Sequence, residues 1–270
     1  MIKIENLSKT FYKNTVNEVN ALKNINLEIK QGSFTAVIGT NGSGKSTLLN
    51  AIAGTFFLDE GDILLDNQNI TNWQEYKRAK YIGRVFQDPF AGTAAEMSII
   101  ENIVLAMKRG KSHNLSLAVS KHIKEEISER VKMLKMGLES RLENPIGTLS
   151  GGQRQALTLL MATWIKPKLL LLDEHTAALD PKSAAKIAEL TKYIIETENL
   201  TAMMVTHSMQ QAIDLPDRII MMHKGQIVKD YQAENKKRIR IPDLMNTFDI
   251  IQKKELFDDS VIELMLNQYC

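Results

Sequence analysis

The stretch Gly39-Thr-Asn-Gly-Ser-Gly-Lys-Ser-Thr47 matches the pattern G-x-x-x-x-G-K-[ST] at every fixed position, and it follows the apolar, β-branched run 34–38. This order predicts a strand, a phosphate-binding loop and a helix that Gly54 ends. Glycines at positions 39, 42 and 44 permit backbone torsions that turn successive N–H groups inward around an anion. We therefore expect the stretch to hold the phosphates of a nucleotide, whereas a simple glycine-rich turn would not need all of these features in order.

The polar side chains of this loop suit a nucleotide that arrives with Mg²⁺. Lys45 places a cation on the β and γ phosphates, Ser46 offers its hydroxyl to the metal, and the positive end of the following helix points at the same charge. The predicted nucleotide contacts are Gly39, Thr40, Asn41, Gly42, Ser43, Gly44, Lys45, Ser46 and Thr47.

Composition excludes several classes of protein. The 270 residues include 44% hydrophobic ones, enough for a sizeable core. A formal net charge of +2, from 34 basic and 32 acidic residues, does not indicate a nucleic-acid partner. The single cysteine, Cys270, precludes an internal disulfide and favours a reducing compartment. No apolar run approaches the roughly 18 residues of a membrane span, so any action at a membrane requires other chains that cross it.

Two early segments, 1–7 and 25–29, alternate apolar and polar residues as half-buried antiparallel strands do. The polar segment between them is predicted to be a loop, and it contains Phe11 and Tyr12. One of these rings could stack on a nucleotide base, since a flat aromatic face binds any base. A surface aromatic packed on the sheet explains the spacing equally well.

The middle of the chain changes to a helical period. After a turn at 59–62 and predicted strands at 63–65 and 81–86, apolar residues recur at helical spacing on two segments that end near 107 and 134. A polar loop, 108–114, separates them, and Gly137 is predicted to cap the second. The block 91–166 has no convincing strand, so it is expected to be a helical subdomain inserted between strands of the core.

A second glycine-rich segment, Leu149-Ser-Gly-Gly-Gln153, is predicted to start a helix that runs to about Lys166. The free N–H groups and the helix dipole could bind an anion at Ser150, Gly151, Gly152 and Gln153. Taken alone, the same residues could simply be a helix N-cap.

The run Lys168-Leu-Leu-Leu-Leu-Asp-Glu174 predicts a buried parallel strand that ends in two carboxylates, at the edge where ligands of open α/β sheets bind. Neighbouring strand residues point to opposite faces, so Asp173 and Glu174 are expected to have different roles. One would hold Mg²⁺, and the other would polarise the attacking water. His207 follows the next core strand, 201–205, and is expected to contact the γ-phosphate. A hairpin is predicted at 218–231.

Together these elements resemble an ATP-binding cassette (ABC) ATPase over about residues 1–230. The resemblance identifies 39–47 with the Walker A loop, 169–174 with Walker B and 149–153 with the signature sequence. It likewise identifies Gln87 with the Q-loop, Asp180 with the D-loop, His207 with the switch histidine and Phe11 with the adenine-stacking aromatic. It implies an α/β fold: a P-loop NTPase (RecA-like) core with an N-terminal antiparallel β-subdomain and an inserted α-helical subdomain. The implied domain covers 1–250, with a C-terminal helical extension at 232–270.

The resemblance also implies cofactors and partners. ATP and Mg²⁺ would be bound, the metal by Ser46, Gln87 and Asp173, and catalysis would involve Glu174, His207, Gln87 and Lys45. Two chains would form a head-to-tail homodimer in which Ser150–Gln153 contacts ATP in trans. Integral membrane permease subunits and a separate substrate-binding protein would complete the assembly, with this chain cytoplasmic on the inner face of the membrane.

One residue departs from the family pattern: His175 replaces the proline that usually follows the catalytic glutamate. The string 173–181 resembles that of importer ATPases associated with tryptophan or related amino-acid uptake. His175 could tune Glu174 or the D-loop, or be a tolerated loop residue. Other classes remain open, namely a non-transport cassette ATPase of translation, repair or cofactor assembly, and a GTP-binding switch, which would leave 150–153 and Glu174 unexplained.

Overall fold

The computed structural model describes residues 1–110, 120–236 and 238–251, and its first layer is a small antiparallel sheet. This sheet has the strand order β2-β1-β4-β5, with register shifts between β1 and β2. Its strands are β1 (Ile2–Phe11), β2 (Val19–Ile29), β4 (Glu60–Leu65) and β5 (Gln68–Asn69).

The second sheet is mixed and has six strands in the order β10-β9-β3-β8-β7-β6. All neighbouring pairs are parallel except β9 and β10, which form the predicted hairpin. Its strands are β3 (Phe34–Gly39), β6 (Ile82–Val85), β7 (Leu169–Asp173), β8 (Ala202–Val205), β9 (Arg218–His223) and β10 (Gln226–Tyr231).

Helices cover the second sheet and form a third layer beside it. They are α1 (Lys45–Ala53), α2 (Glu75–Arg78), α3 (Ile99–Met107), α4 (Lys121–Lys132), α5 (Gly151–Thr163), α6 (Pro181–Thr197), α7 (Met209–Asp214) and α8 (Ala233–Lys236), and residues 241–251 are also helical. One hydrophobic core joins the two sheets through α1, and another lies between the six-stranded sheet, α6 and the helix 241–251.

Helices α3, α4 and α5 share a third core, to which Ile187 of α6 also contributes. Ile99, Ile103, Ile127 and Val131 are buried in it, at positions that the helical period predicted. The described residues between 91 and 166 contain no strand, only an isolated bridge between residues 98 and 145. An α/β P-loop core, an antiparallel β-subdomain and an inserted helical subdomain are thus all present, as the sequence predicted.

The early antiparallel strands are longer than predicted. Phe11 is the last residue of β1 rather than part of a loop, and the turn covers only 12–18. The alternation is lost because the ladder between β1 and β2 is irregular, and Asn6 and Asn24 adopt φ angles of 51° and 50°. Likewise, β4 begins at Glu60, inside the segment 59–62 predicted to be a turn.

Predicted helix ends also need correction. Helix α4 ends at Lys132, and Gly137, at a φ of 68°, instead precedes a single 3-10 turn at Leu138–Ser140. Helix α5 ends at Thr163, three residues before Lys166. Val119, residues 111–114 of the predicted polar loop and the tail beyond 251 lie outside the described residues.

The phosphate-loop helix α1 is anchored at its far end by a buried arginine. Arg78 is 1% exposed, and its guanidinium donates to the carbonyls of Ala51 and Ile52, both at 2.9 Å. Burial lowers the pKa of Arg78 to about 10. A cation at the negative end of a helix is electrostatically favourable. Gly54, at a φ of 84°, lies so close that a Cβ there would be 2.7 Å from Arg78 Nε.

Candidate functional site

Strand order alone brings the predicted site residues to one edge of the six-stranded sheet. Strand β8 lies between β3 and β7, and all three are parallel. The glycine-rich loop follows β3, Glu174 follows β7 and His207 follows β8. Because the carboxyl ends of parallel strands meet at one edge, these segments from distant parts of the sequence are adjacent.

The glycine-rich loop has the backbone torsions that an anion nest requires. Gly42 and Gly44 have φ angles of 75° and 96°, in the left-handed region. A Cβ on Gly44 would be 2.6 Å from the carbonyl oxygen of Ala21, whereas one on Gly42 would meet nothing within 4 Å. No side chain caps the N-terminus of α1. Its first N–H groups therefore remain available to a ligand.

Lys45 is held inside the loop it belongs to. Its Nζ donates to the carbonyl oxygens of Gly39 at 2.8 Å and Thr40 at 2.9 Å, and the residue is 5% exposed. Burial lowers the pKa of Lys45, while the carboxylates of Glu174 and Asp173 oppose that shift. A preorganised cation therefore lies beside the open helix end.

Glu174 and His207 form a close pair. Glu174 Oε1 is 2.6 Å from His207 Nε2, and the glutamate side chain is 12% exposed against 46% for the histidine. Glu174 has a φ of 45°, and its backbone N–H donates to Val205 at 2.9 Å. The strained backbone at Glu174 therefore places its carboxylate beside the end of β8, next to His207.

These groups line a single pocket of about 530 Å³. Predicted residues in its wall are Phe11, Asn41, Gly42, Ser43, Gly44, Lys45, Ser46, Thr47, Glu174 and His207. Tyr12, the second ring that could stack on a base, also lines it, together with Val19 and Ala21, which were not predicted. Val19 pairs with Phe11 across the β-ladder, so the missed N-terminal half of β2 explains the omission.

Two predicted residues lie at the neighbouring strand ends without lining this pocket. Asp173 Oδ2 is 3.4 Å from Arg84 Nη2, whose stronger contact is Asn50 Oδ1 at 2.6 Å. Gln87 is exposed, two residues after β6. Arg84 lies on β6 and was not singled out by its sequence context.

The segment Ser150–Gln153 also lies away from the pocket. Ser150 Oγ accepts from the backbone N–H of Gln153 at 3.3 Å, and Gln153 Oε1 accepts from the backbone N–H of Ser150 at 3.2 Å. This reciprocal pair is a capping box at the start of α5. Gly151 lies beside Leu179, and Gly152 beside Ser183 of α6.

Asp180 is the N-cap of α6. Its Oδ1 accepts from the backbone N–H of Ser183 at 3.0 Å. The hydrogen bonds from Ser183 lower the pKa of the exposed Asp180 carboxyl.

His175 lies in the turn after β7, and its side chain is buried. It is 1% exposed, and its Nε2 lies 2.9 Å from Thr191 Oγ1 on α6. Thr191 donates to the carbonyl of Ile187 at 2.8 Å, so its oxygen accepts from the histidine. Burial lowers the pKa of His175 to about 4. The imidazole is therefore neutral near pH 7 and brings no charge to Glu174.

The pocket fits a nucleoside polyphosphate. Its volume lies within the range of small-molecule sites, about 300–1,000 Å³. Uncapped N–H groups and the Lys45 ammonium lie on one side of the pocket, and the Phe11 ring and the Glu174 carboxylate also line it. Fold and site together define a P-loop nucleoside triphosphatase.

Comparisons with known proteins are specific about its family. Residues 22–177 match the family model described as ABC transporter. A tyrosine transport ATP-binding protein of Clostridioides difficile (strain R20291) is 42% identical over 250 residues, which cover 92% of this chain and 99% of that protein. An energy-coupling factor transporter ATP-binding protein of Clostridium tetani (strain Massachusetts / E88) is 38% identical and covers 85% of this chain and 78% of its own.

A solved structure supports the same family. The dimeric ATP-binding cassette MJ0796, in a post-hydrolysis state with ADP and Pi, has a TM-score of 0.73 and 31% identity, covering 86% of this chain and 99% of that one. The chain belongs to the ABC transporter ATP-binding family and is an ATPase of that class. In the described part of the chain, no helix has the length and apolar character that crossing a membrane requires.

Proposed function

We propose that this chain is the ATP-hydrolysing subunit of an importer for an amino acid or a similar small solute. The observation that carries the proposal is the single pocket in which the glycine-rich loop faces the pair Glu174 and His207. Transport would be driven by two copies that close around ATP and open after hydrolysis.

The glycine-rich loop and the start of α1 would bind the phosphates. Backbone N–H groups of 42–47 would bind phosphate oxygens, and Lys45 would exchange its two carbonyl contacts for the β and γ phosphates. The contacts at Gly39 and Thr40 show that the ammonium is already confined to the loop. Phe11 would stack on the adenine ring.

Mg²⁺ would be held by Ser46, Gln87 and Asp173, with phosphate oxygens completing its coordination. Hydroxyl, amide and carboxylate oxygens suit this hard cation. When bound, the metal would supply positive charge to the phosphates during transfer.

Hydrolysis requires a base and a group that senses the terminal phosphate. Glu174 would orient and deprotonate the attacking water, since its carboxylate lies in the pocket wall and is only partly exposed. His207 would leave Glu174 to donate to the γ-phosphate once ATP is present.

A second chain would complete the site. Ser150, Gly151, Gly152 and Gln153 do not line the pocket of their own chain, which supports a contact in trans. A head-to-tail homodimer would bring this segment onto the γ-phosphate of the partner's ATP, with Asp180 near the shared surface. The similar cassette MJ0796 is dimeric with ADP and Pi bound, which supports association of two chains.

The cargo and the remaining partners follow from the relatives. The tyrosine transport protein matches over nearly its whole length, which supports an amino-acid-type substrate. Integral permease subunits would carry the solute across the membrane, and a separate substrate-binding protein would deliver it. This chain would lie in the cytoplasm, peripheral on the inner face of the membrane.

The proposed domain boundaries are 1–250 for the ATPase, 91–166 for the helical subdomain and 232–270 for the C-terminal extension. The separate core of α3, α4 and α5 supports the second of these. Leu244 is fully buried against the six-stranded sheet, which supports a packed start to the extension.

Replacing Glu174 tests the catalytic proposal. Glu174→Gln keeps the shape but removes the base, so phosphate release should fall by about two orders of magnitude or more. With ATP, the variant should elute as a dimer in gel filtration, whereas the nucleotide-free protein should not. Glu125→Gln, an exposed residue on α4, is the matched control. Hydrolysis at the wild-type rate in Glu174→Gln would show that another group is the base.

Purification from membranes tests the transport proposal. The tagged chain should co-purify with a permease of several membrane spans, and ATPase activity in that complex should rise when the binding protein and an amino acid are added. Recovery only with ribosomal, DNA-repair or cofactor-assembly proteins would place it among non-transport cassettes.

A further inference from the structure

The end of β1 is tied to the segment that follows α1 by a compact set of contacts. The Phe11 and Phe56 rings meet edge to face, with centroids 5.2 Å apart and planes at 83°. Lys9 Nζ lies 5.5 Å from the Phe11 centroid and 5.6 Å from that of Phe56. The same ammonium is 3.0 Å from Asp59 Oδ1. Two rings and an ion pair thus form one cluster.

Backbone contacts fix this cluster to the strand. Asp59 Oδ2 accepts from the backbone N–H of Thr10 at 2.7 Å, and the N–H of Asp59 donates to Ser8 at 3.1 Å. The hydrogen bond from the Thr10 N–H holds the pKa of the Asp59 carboxyl below its usual range, and Lys9 contributes a smaller shift in the same direction. The carboxylate therefore stays charged and keeps both Lys9 and the backbone next to Phe11 in place.

The position of Phe11 makes this support relevant to nucleotide binding. Phe11 lines the phosphate pocket, whereas Phe56, Lys9 and Asp59 do not. A ring at the end of an irregular strand could take several rotamers, and each rotamer that points away from the base reduces the population able to stack. Edge-to-face packing and a cation over the ring both limit that freedom.

We infer that Phe56 is a positioning residue for nucleotide binding: with Lys9 and Asp59 it holds the Phe11 ring ready to stack on the base. This inference rests on the proposed stacking role of Phe11 and adds residues that never touch the nucleotide. Phe56 acts only through Phe11, so its contribution concerns the base and not the phosphates.

Two ligands distinguish a loss of contact with the base from a loss of nucleotide binding as a whole. ADP carries base and phosphates, whereas pyrophosphate carries phosphates alone. Isothermal titration calorimetry with Mg²⁺ gives both dissociation constants. Phe11→Ala should weaken ADP binding about 10-fold, as loss of a base stack does, with pyrophosphate binding unchanged. Phe56→Leu should weaken ADP binding about 3- to 10-fold, also without affecting pyrophosphate.

The neighbouring Phe57 provides the control. It is the same residue type, is 54% exposed and makes no ring contact in the described part of the chain. Phe57→Leu should leave both constants unchanged. Lys9→Met, a second variant that spares the aromatic core, should weaken ADP binding about 2-fold. In a Phe11→Ala background, adding Phe56→Leu should change ADP binding by less than about 2-fold, since the two residues act as one unit.

The possible outcomes are distinguishable. Equal weakening of ADP and pyrophosphate by Phe56→Leu would indicate general damage to the loop and overturn the inference. Unchanged ADP binding in Phe56→Leu, with a loss in Phe11→Ala, would overturn it while leaving the stacking role of Phe11 intact. If Phe11→Ala affected neither ligand, the stacking role itself would be wrong and the inference would fall with it.

Discussion

Helices α1 and α5 both begin in a glycine-rich segment, yet their N-termini are in opposite states. No side chain caps α1, and the left-handed torsions of Gly42 and Gly44 turn its loop into an open anion site. The start of α5 is closed by its own Ser150 and Gln153. An open end is ready for phosphate, whereas a capped end must first give up internal hydrogen bonds.

The capping bonds of α5 have the same length as those of other serine-capped helices. They measure 3.2 and 3.3 Å, against 3.3 Å for the Ser98 cap of α3 and the Ser120 cap of α4. A phosphate oxygen at the start of α5 would have to replace the Ser150 hydroxyl as an acceptor. We expect nucleotide to bind first at α1 and the contact at α5 to form second, when chains associate.

Adding a methyl group to the open loop should have the largest effect. Gly44→Ala combines a φ of 96° with a contact of 2.6 Å to the Ala21 carbonyl, whereas Gly42→Ala meets no atom within 4 Å. We expect Gly42→Ala to lower the free energy of unfolding by about 1–2 kcal/mol, the cost of a left-handed torsion. Gly44→Ala should lower it by roughly 3 kcal/mol or more, and urea denaturation measures both. Equal losses would mean that the loop relaxes around Gly44.

Removing the cation of the open site should have the next largest effect. Lys45→Ala should weaken ADP binding roughly 10- to 100-fold, because hydrogen bonds to charged groups contribute about 1.5–3 kcal/mol. Calorimetric titration gives the dissociation constant, and Lys23→Ala, an exposed lysine on β2, is the control. ADP affinity that stayed at the wild-type value would contradict the phosphate-loop assignment.

The turn that follows β7 should respond to pH through His175. Its folded pKa, about 4, lies below the ordinary value of 6.5, so the unfolded chain binds the proton first as pH falls. The stabilisation is complete above about pH 6.5 and is lost as pH falls toward 4. Between pH 7.5 and 5, wild type should lose about 2 kcal/mol more unfolding free energy than His175→Gln. Parallel losses in the two proteins would show that His175 does not titrate this way.

ATPase activity provides a separate test of His175. Because a neutral imidazole brings no charge to Glu174, His175→Pro should keep the pH profile of hydrolysis between pH 6.5 and 8. A profile shifted in that range would support electrostatic tuning of Glu174 instead.

The smallest expected effect concerns the capped end. Ser150→Ala removes the cap of α5 and should lower the unfolding free energy by about 1 kcal/mol. ADP binding to the monomer should not change, because Ser150 does not line the pocket. In a Glu174→Gln background, the ATP-dependent dimer should weaken measurably in analytical ultracentrifugation. Weaker ADP binding by the monomer would show that the two helix starts are not independent.

Much of the fold follows from local pattern. Four consecutive leucines and two carboxylates predicted β7 and its end correctly, because a fully buried parallel strand has few alternatives. The fixed spacing of the glycine-rich loop predicted α1 for the same reason. Residues 8–11 of β1 and 19–24 of β2 were missed, because Asn6 and Asn24, near the limits of the predicted strands, have positive φ and disturb the two-residue period.

Properties of the site that depend on tertiary contacts were not predictable. The burial of His175 against Thr191 requires α6 to pack on the end of β7, and no local signal encodes this. The contact of Arg84 with Asp173 joins two neighbouring strands 89 residues apart in sequence. The capping box, in contrast, is visible in the sequence as Ser150 and Gln153, and one of the two interpretations of that segment anticipated it.

The contact between Arg78 and Gly54 has a consequence for engineering. A guanidinium with four backbone-carbonyl contacts fills the space that any side chain at position 54 would need. Libraries that randomise position 54 alone should therefore return almost only glycine. A simultaneous change of Arg78 would free the space but would not remove the left-handed torsion of residue 54, so glycine should remain preferred there in directed evolution of this ATPase.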